Sequence, residues 1–487
     1  MSIRSIPSDR LRGIIAAALL VAGFAALYAF TAQRGLSWGD SGLFQERVLG
    51  NDLHGNAGIA LAHPLYVALA HLFSRVIPAW CRLWALNALS GLLGALAVGV
   101  MFACAWRFAR SVRAATLAAM SLGLAHMFWW LSTMSEVYTF SAFLLACETY
   151  ALIVAVQERQ TLPMVAALLA NGVHFSVHNF ALLSLPVHLA ALAWLAIKEP
   201  GCRRVPPFAA AAVMWLTGSL PILLMAADRY REMGSLGATV LDVLVGRYGA
   251  AVAGNMGVPV RVTLFNFALA GMSFCLPCWL LAATAIRRVR EFRIRRPETV
   301  FLAVLLFVHA IFWVRYRVAD QATFLLPTLF LALLAISPIL ATVRRPFIFA
   351  AATILASVLV PCVTAAALDA HAARLLKQRG PLPFRDDLRY FAFPWKHDED
   401  SADRFVEAAR RELPPGAFVY VDATVGSPLA AARRIGILPQ ALQLSSDDFN
   451  PAFPSSRWEV RPFGAYRIAP PEAAIVKRKT FYEVKLP

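Results

Sequence analysis

The chain has 487 residues, of which 59% are hydrophobic and only 15% are charged, and its formal net charge is +17. A soluble globular protein with so few charged side chains would aggregate, so this composition indicates a protein that crosses a membrane several times. The arginines are spread over separate short loops, so we interpret the positive charge as a sign of membrane topology and exclude a nucleic-acid partner.

Apolar stretches that approach or exceed the length needed to cross a hydrocarbon core of about 30 Å occur along most of the chain. The stretch 160–197 is long for one helix, and we expect two helices joined by a turn near "NGVHFSVHN" (171–179). The stretch 137–157 contains Glu148, which we interpret as a buried structural acid. The eleven stretches are 13–33, 83–106, 114–135, 137–157, the two halves of 160–197, 205–227, 262–286, 299–314, 322–343 and 346–368.

The distribution of lysine and arginine favours a cytoplasmic N-terminus, because positive side chains in short loops stay inside. Six arginines between residues 287 and 296, for example, fall in one such loop. An odd number of spans then places residues 369–487 outside the cytoplasm. We therefore predict an all-α polytopic membrane domain, 1–368, with a long first outer loop, 34–82. A small α/β extracytoplasmic domain, 369–487, follows it.

The first outer loop contains the motif "WGDSG" (38–42). Gly39 and Gly42 permit backbone conformations that other residues avoid and allow a ligand to approach closely. One interpretation makes Asp40 a catalytic acid, and the alternative is that Asp40 and Ser41 cap a helix over about 42–50. Further along the loop, "HPLYVALAHLFSRVIP" (63–78) has apolar residues at helical spacing but is too short to span, so we predict a helix in the membrane interface.

Glu136 and two arginines extend the polar set on the outer side. Glu136 lies in "STMSEVYTF" at a helix junction, where an acid close to hydrocarbon is usually functional, although a cap or an ion-pair partner is the alternative. Arg315 and Arg317 follow an apolar run of only 16 residues, 299–314, and are expected at the membrane surface. They are candidate phosphate ligands, with snorkelling anchors as the alternative.

Three further polar residues lie at outer turns. Asp320 follows the two arginines, and His174 and His178 are four residues apart at the turn predicted within 160–197. We include them as candidate substrate-binding residues. Two histidines alone are weak evidence for a metal, so no metal site is predicted.

These residue types suit the transfer of a sugar from a lipid phosphate. An aspartate can take the proton from an acceptor hydroxyl while that hydroxyl attacks the anomeric carbon. The phosphate leaves without needing a proton, and cations hold it. One base with cations therefore suffices for inversion, whereas glycoside hydrolysis uses two carboxylates. A transporter or flippase for lipid-linked sugars would use similar arginines, and an inactive scaffold is a third hypothesis.

Several segments resemble, in order, a family of bacterial membrane proteins related to animal transmembrane O-mannosyltransferases. They are "WGDSGLF", "AHPLYVALAHLFS", "LAHMFWWLSTMSEVYTFSAFLLACETYAL" and "VAALLANGVHFSVHNFALLSLP", followed by "WVRYRVADQATFLLPTLFLALLA" and "LPPGAFVYVDA". The resemblance covers most of the chain. It implies a GT-C glycosyltransferase fold, a catalytic acid in the first outer loop and a polyprenyl-phosphate sugar as donor. By position, the implied site residues are Asp40, His63 and Glu136.

Two positions depart from the family pattern. Leu43 stands where the family commonly has an acid, and the proline-glycine stretch after the histidine is shortened to "HPLY". The first departure counts against a two-acid or metal-assisted site centred on this loop. The resemblance implies no cofactor and leaves open whether a divalent metal is used. It implies a protein of the bacterial inner membrane, with the site and the tail on the periplasmic side. The acceptor is a protein, glycan or lipid.

The tail has the pattern of a small α/β unit. An amphipathic helix is predicted for 401–413, a strand for 416–423 and a short helix for 428–436 that starts at Pro428. Asp422, at the end of the strand, is interpreted as a turn residue.

Overall fold

A computed structural model shows a bundle of apolar helices with a small mixed sheet near its C-terminus. The residues that the structure describes are 8–199, 205–246, 260–273, 296–316, 321–368, 382–445, 456–460, 474–477 and 481–485. The helices before residue 200 are α1 (Ser8–Thr31), α2 (Gly39–Gly50), α3 (Pro64–Val76), α4 (Arg82–Ala109), α5 (Val112–Gly123), α6 (His126–Leu131), α7 (Tyr138–Glu158), α8 (Thr161–Phe175) and α9 (Ala181–Lys198).

The second half of the bundle and the tail continue the helical pattern. Their helices are α10 (Val205–Gly218), α11 (Leu220–Met233), α12 (Leu236–Val245), α13 (Val260–Ser273), α14 (Pro297–Arg315), α15 (Leu325–Leu340), α16 (Pro346–Leu368), α17 (Asp387–Ala392), α18 (Ser401–Glu412) and α19 (Ala423–Arg434). Within these ranges, seven helices are long and apolar enough to cross a membrane, or eight if one bent pair counts as a single span. The polytopic helical fold is confirmed, while the count of eleven and the N-in orientation remain predictions.

Two of the predicted stretches are broken in the structure. The stretch 205–227 divides into α10 and α11, which are bent by 70°, so the prediction of one continuous helix is wrong. Pro221 lies in the first turn of α11 and lacks the backbone N–H that a continuous helix would use there. The stretch 114–135 also divides, since α5 ends at Gly123 and α6 starts at His126. By contrast, the turn predicted within 160–197 is confirmed between α8 and α9.

Close approach of α8 and α10 depends on two glycines. A Cβ added at Gly172 of α8 would overlap the carbonyl oxygen of Trp215, and one added at Gly218 of α10 would lie 2.6 Å from the carbonyl oxygen of Leu169. Small residues at such positions let membrane helices meet backbone to backbone, which increases van der Waals contact between them. The pair α8 and α10 supports the turn that follows α8.

A five-stranded sheet lies in the tail, with the order β2-β1-β3-β5-β4. The strands are β1 (Phe418–Tyr420), β2 (Gln443–Ser445), β3 (Ser456–Val460), β4 (Ala474–Lys477) and β5 (Phe481–Lys485). Strand β1 is parallel to β2 and β3, and β5 is antiparallel to β3 and β4. Helix α19 connects β1 to β2.

The predicted helix 401–413 is confirmed as α18, but the start predicted for the next helix is wrong. Helix α19 starts at Ala423, and Pro428 lies inside it. The reason is the side chain of Asp422, whose Oδ1 accepts the N–H of Val425 at 2.9 Å and so caps the helix five residues earlier.

The tail unit packs directly on the loop between α1 and α2. Leu36 and Trp38 of that loop are buried in the same apolar core as Phe405 and Val406 of α18. The Trp38 ring lies 5.1 Å from the Phe405 ring, and its Nε1 donates to Ser401 Oγ at 2.8 Å. The two predicted domains therefore share a core, and the boundary at residue 368 remains a prediction.

We expect Gly172→Ala to lower the melting temperature of the purified protein, at a cost of roughly 1–3 kcal/mol, because the methyl group overlaps a backbone atom that cannot move away. Gly23→Ala is the matched control, since a Cβ at that position of α1 meets no atom within 4 Å. Thermal unfolding of both variants in detergent measures the difference. Equal melting temperatures would contradict the close helix contact.

Candidate functional site

Helix α2 contains Asp40 as an exposed residue of its first turn. Gly39 starts the helix with a φ of +59°, in the left-handed region that glycine adopts without strain. Asp40 is the second residue of the helix and is exposed. The N-cap is Trp38, so the interpretation of Asp40 and Ser41 as caps of a helix starting near 42 is wrong. Asp40 therefore lies in the first turn of the helix, where the backbone N–H groups form the positive end of the helix dipole.

Glu136 is held beside this turn by the residue that follows Asp40. The Ser41 hydroxyl donates to Glu136 Oε1 at 2.5 Å. Ser90 of α4 accepts the backbone N–H of Glu136 at 2.9 Å and donates to its carbonyl oxygen at 3.0 Å. Glu136 is buried, and α7 starts after it with Val137 as N-cap, so Glu136 is not a helix cap. The two acids predicted from the sequence therefore belong to segments in direct contact.

A buried amide network fixes the loop that leads into α2. Asn87 of α4 accepts hydrogen bonds at its Oδ1 from Gln45 Nε2 (3.1 Å) and Ser135 Oγ (2.7 Å), and donates to the Gln33 carbonyl (2.9 Å). The Gln45 Oε1 accepts the backbone N–H of Ser37 at 3.0 Å. Buried polar groups paired in this way define one arrangement of the chain. The second turn of α2 and the loop before this helix are thus attached to α4 and to the segment before α7.

His63 and His178 form a stacked pair close to α2. Their ring centroids are 5.3 Å apart, and the His63 ring is 5.6 Å from Phe44 of α2. His63 has a φ of +48°, and its Nδ1 donates to the carbonyl oxygen of Val177 at 2.7 Å. Burial lowers the pKa of His63 to about 4 and the pKa of His178 well below its ordinary value. Both imidazoles are therefore neutral at pH 7.

His174 does not face the same way as His178. It is fully buried, its Nδ1 donates to Glu148 Oε1 at 2.7 Å, and its Nε2 lies 2.6 Å from Ser141 Oγ. Both ring nitrogens are engaged inside the bundle, which disfavours direct substrate contact. In the part of the chain that the structure describes, no group of three or more His, Cys, Asp or Glu side chains is arranged to hold a metal ion.

Arg315 ends α14 and is exposed. The next residue, Tyr316, lies 5.2 Å from the ring of Phe324, and Phe324 lies 5.9 Å from Tyr138 at the start of α7. This row of rings leads from Arg315 towards the segment of Glu136. Arg317 and Asp320 lie outside the described residues.

Arg47 is a buried cation that the sequence analysis did not select. Its guanidinium donates to the carbonyl oxygens of Asp52 (3.2 Å), Leu53 (3.1 Å), Leu61 (3.3 Å) and Ala62 (2.5 Å). These bonds fix the loop between α2 and α3, which ends at His63. The sequence offered little signal for Arg47, because α2 also contains Asp40 and Glu46 and the four carbonyl oxygens are backbone atoms that the sequence does not mark.

The tail unit also contacts this region through ionisable side chains. Asp403 Oδ1 accepts the N–H of Leu36 at 3.1 Å, and burial raises the pKa of Asp403 to about 6. Arg434 of α19 pairs with Glu46 of α2 at 3.0 Å. Helix α2 is therefore held between the bundle on one side and the tail unit on the other.

Residues 61–200 match the family model described as the Protein O-mannosyl-transferase TMEM260 N-terminal domain. This segment contains His63, Glu136 and the turn between α8 and α9, so the family resemblance is confirmed there. No curated protein matches the chain in sequence.

Two solved structures of ArnT from Cupriavidus metallidurans have the same fold as the whole chain. The structure bound to undecaprenyl phosphate has 16% sequence identity and a TM-score of 0.58, and covers 97% of this chain and 97% of that one. The apo structure has 14% identity and a TM-score of 0.60, and covers 98% of each chain. The expected GT-C fold is confirmed.

The neutral state of His63 predicts a loss of stability in acid. Its pKa of about 4 in the folded protein lies below the ordinary value of 6.5, so the unfolded chain binds the extra proton first as the pH falls. The free energy of unfolding should therefore decrease between pH 6.5 and pH 4, by about 2 kcal/mol at pH 5.

Melting temperatures at pH 7 and pH 5 measure this effect, with His63→Asn as the comparison. Asparagine tolerates the left-handed backbone and keeps a donor for Val177, but does not titrate. The variant should lose less stability than the wild type on acidification. An equal loss in both proteins would contradict the assignment to His63.

Proposed function

We propose that this chain, which has the fold of GT-C membrane glycosyltransferases, moves a sugar from a polyprenyl-phosphate donor to an acceptor hydroxyl with inversion at the anomeric carbon. The site lies on the periplasmic face of a bacterial inner membrane. The acceptor is a protein, glycan or lipid that carries a free hydroxyl.

The observation that carries the proposal is the placement of Asp40. Its carboxylate is exposed at the N-terminal turn of α2, while Ser41 on the same turn is anchored to Glu136. A general base must be accessible to substrate and yet held in a fixed position, because rate depends on the geometry of proton transfer. Asp40 satisfies both conditions, whereas the buried Glu136 is suited to positioning the turn.

In the proposed reaction, the acceptor hydroxyl gives its proton to the Asp40 carboxylate. The hydroxyl oxygen bonds to the anomeric carbon as the bond from that carbon to the phosphate oxygen breaks, and the phosphate leaves with the electron pair. Arg315 and Arg317 would hold the phosphate and stabilise its growing charge. Asp320 is a candidate for contact with the donor on the same segment.

The neutral pair His63 and His178 is suited to hydrogen bonding with sugar hydroxyls through the Nε2 atoms. His63 Nδ1 donates to Val177, so its Nε2 is an acceptor, and His178 Nδ1 accepts the N–H of Phe180, so its Nε2 is a donor. The ArnT structure with undecaprenyl phosphate supports a lipid phosphate as the donor class.

The alternative function, a transporter, would expose polar groups through the membrane midplane. Here the deep polar residues around Glu148 are fully buried and bonded to one another.

Asp40→Asn should lower the turnover of sugar transfer by about 10²–10⁴-fold, because the amide has the shape of the carboxylate but does not accept the proton. The measurement is release of free polyprenyl phosphate from radiolabelled polyprenyl-phosphate sugars, with an envelope extract as acceptor. Asp400→Asn is the control, since it removes an exposed aspartate whose ion pair with Arg404 contributes little. Full turnover by Asp40→Asn would refute Asp40 as the base.

Arg315→Ala should raise the KM for the donor about tenfold or more and leave kcat less affected, because a phosphate ligand acts partly in the ground state. Arg345→Ala, which removes an exposed arginine between α15 and α16, is the control. Steady-state kinetics with a polyprenyl-phosphate donor separates the two constants. An unchanged KM would leave Arg315 as an anchor at the membrane surface.

A further inference from the structure

One acid inside the membrane bundle is shared by three helices. Glu148 of α7 is fully buried, and its Oε1 accepts a hydrogen bond from His174 of α8 at 2.7 Å. Its Oε2 accepts from His188 of α9 at 2.8 Å, from Ser184 at 2.9 Å and from Asn171 at 3.0 Å. A carboxylate in hydrocarbon is costly unless its oxygens are paired. The complete set of donors therefore makes this cluster a cross-link between α7, α8 and α9.

The cross-link reaches the outer end of the bundle through His174. This residue lies in the last turn of α8, and its carbonyl oxygen accepts the backbone N–H groups of Val177 (2.9 Å) and His178 (2.6 Å). With both ring nitrogens engaged, the side chain of His174 cannot rotate without breaking a buried hydrogen bond. The Glu148 cluster thereby fixes the turn between α8 and α9 from inside the bundle.

The same turn holds the N-terminus of α3. The carbonyl oxygen of Val177 accepts the bond from His63 Nδ1 at 2.7 Å, and that of Ser176 accepts the backbone N–H of Leu65 at 3.2 Å. His178 stacks on His63. His63 keeps a left-handed backbone, which needs support from its surroundings in a residue other than glycine. The turn supplies that support.

We propose that Glu148, His174 and His188 are positioning residues that fix the turn between α8 and α9 and, through it, the His63 and His178 pair of the outer site. The positioning role itself does not require the proposed function. Only the expected effect of these residues on turnover rests on the proposed function.

Ser141, His174 and Glu148 have the connectivity of a hydrolase triad. However, Ser141 is buried in the bundle, so we assign no nucleophile to this cluster.

Hydrogen–deuterium exchange of the full chain in lipid nanodiscs tests the coupling without requiring activity. Glu148→Leu removes both acceptor oxygens, and we expect backbone exchange to become about tenfold faster in peptides covering 172–180 and 60–68. Glu298→Leu is the matched control, because it also removes a buried acid, at the start of α14, where Arg296 and Gln157 are its neighbours. That control should leave both peptides unchanged.

Two results would overturn the proposal. Faster exchange in 172–180 alone would mean that the cluster does not reach His63, and a uniform increase that includes α4 and α15 would mean a general structural role. Should Glu148→Leu not fold, Glu148→Asp replaces it, because the shorter acid keeps its charge but cannot reach both histidines. The same two-peptide pattern is then expected, and unchanged exchange in both peptides would refute the coupling.

Turnover provides an independent readout. If wild type transfers sugar, Glu148→Asp should lower kcat more than it changes the donor KM. The reason is that the substitution shifts the His63 and His178 pair but removes no residue of the site. Lack of transfer by wild type would refute the proposed function while leaving the exchange result intact. Normal transfer together with normal exchange in Glu148→Asp would refute the positioning role alone.

Discussion

The candidate site depends on the hydrogen bond between Ser41 and Glu136, because it joins the first turn of α2 to the helix bundle at the position of Asp40. Glu136 is itself fixed by Ser90 through both its backbone N–H and its carbonyl. Asn87 adds a second attachment nearby. In an environment poor in water, each of these polar groups must find a partner, and the pairs they form leave one position for the start of α2.

Much of the fold could be predicted from the sequence because apolar length is a direct signal of membrane helices. The turn between α8 and α9 was predictable as well, since polar residues interrupt an apolar stretch that is too long for one span. The bend between α10 and α11 was missed because Pro221 is apolar and does not interrupt a hydropathy count. The early start of α19 was missed because the capping role of Asp422 depends on a backbone contact, while Pro428 is an equally good start signal.

The site was only partly predictable for a related reason. Asp40 and Glu136 stand out because ionisable residues are rare in so apolar a chain, whereas His63 was selected through the family resemblance. Ser41 and Asn87 do not stand out, since neutral polar residues are common and their importance comes from distant partners. His174 and His178 were both selected because they lie four residues apart at the predicted turn, but α8 ends between them, and His174 bonds to Glu148 while His178 stacks on His63.

The contact between the tail unit and the loop before α2 has a consequence for how the protein is made. The bond from Leu36 to Asp403 joins residues 367 positions apart, and Trp38 completes an apolar core whose other members come almost entirely from residues 382–442. The loop before α2 therefore emerges from the ribosome long before its partner exists. Helix α2 gains its final support only when the last hundred or so residues have been synthesised and folded. A chain that ends after α16 keeps every membrane-spanning helix that the structure describes, yet it lacks the tail unit that packs against α2 beside Asp40. The site is therefore completed last during biosynthesis.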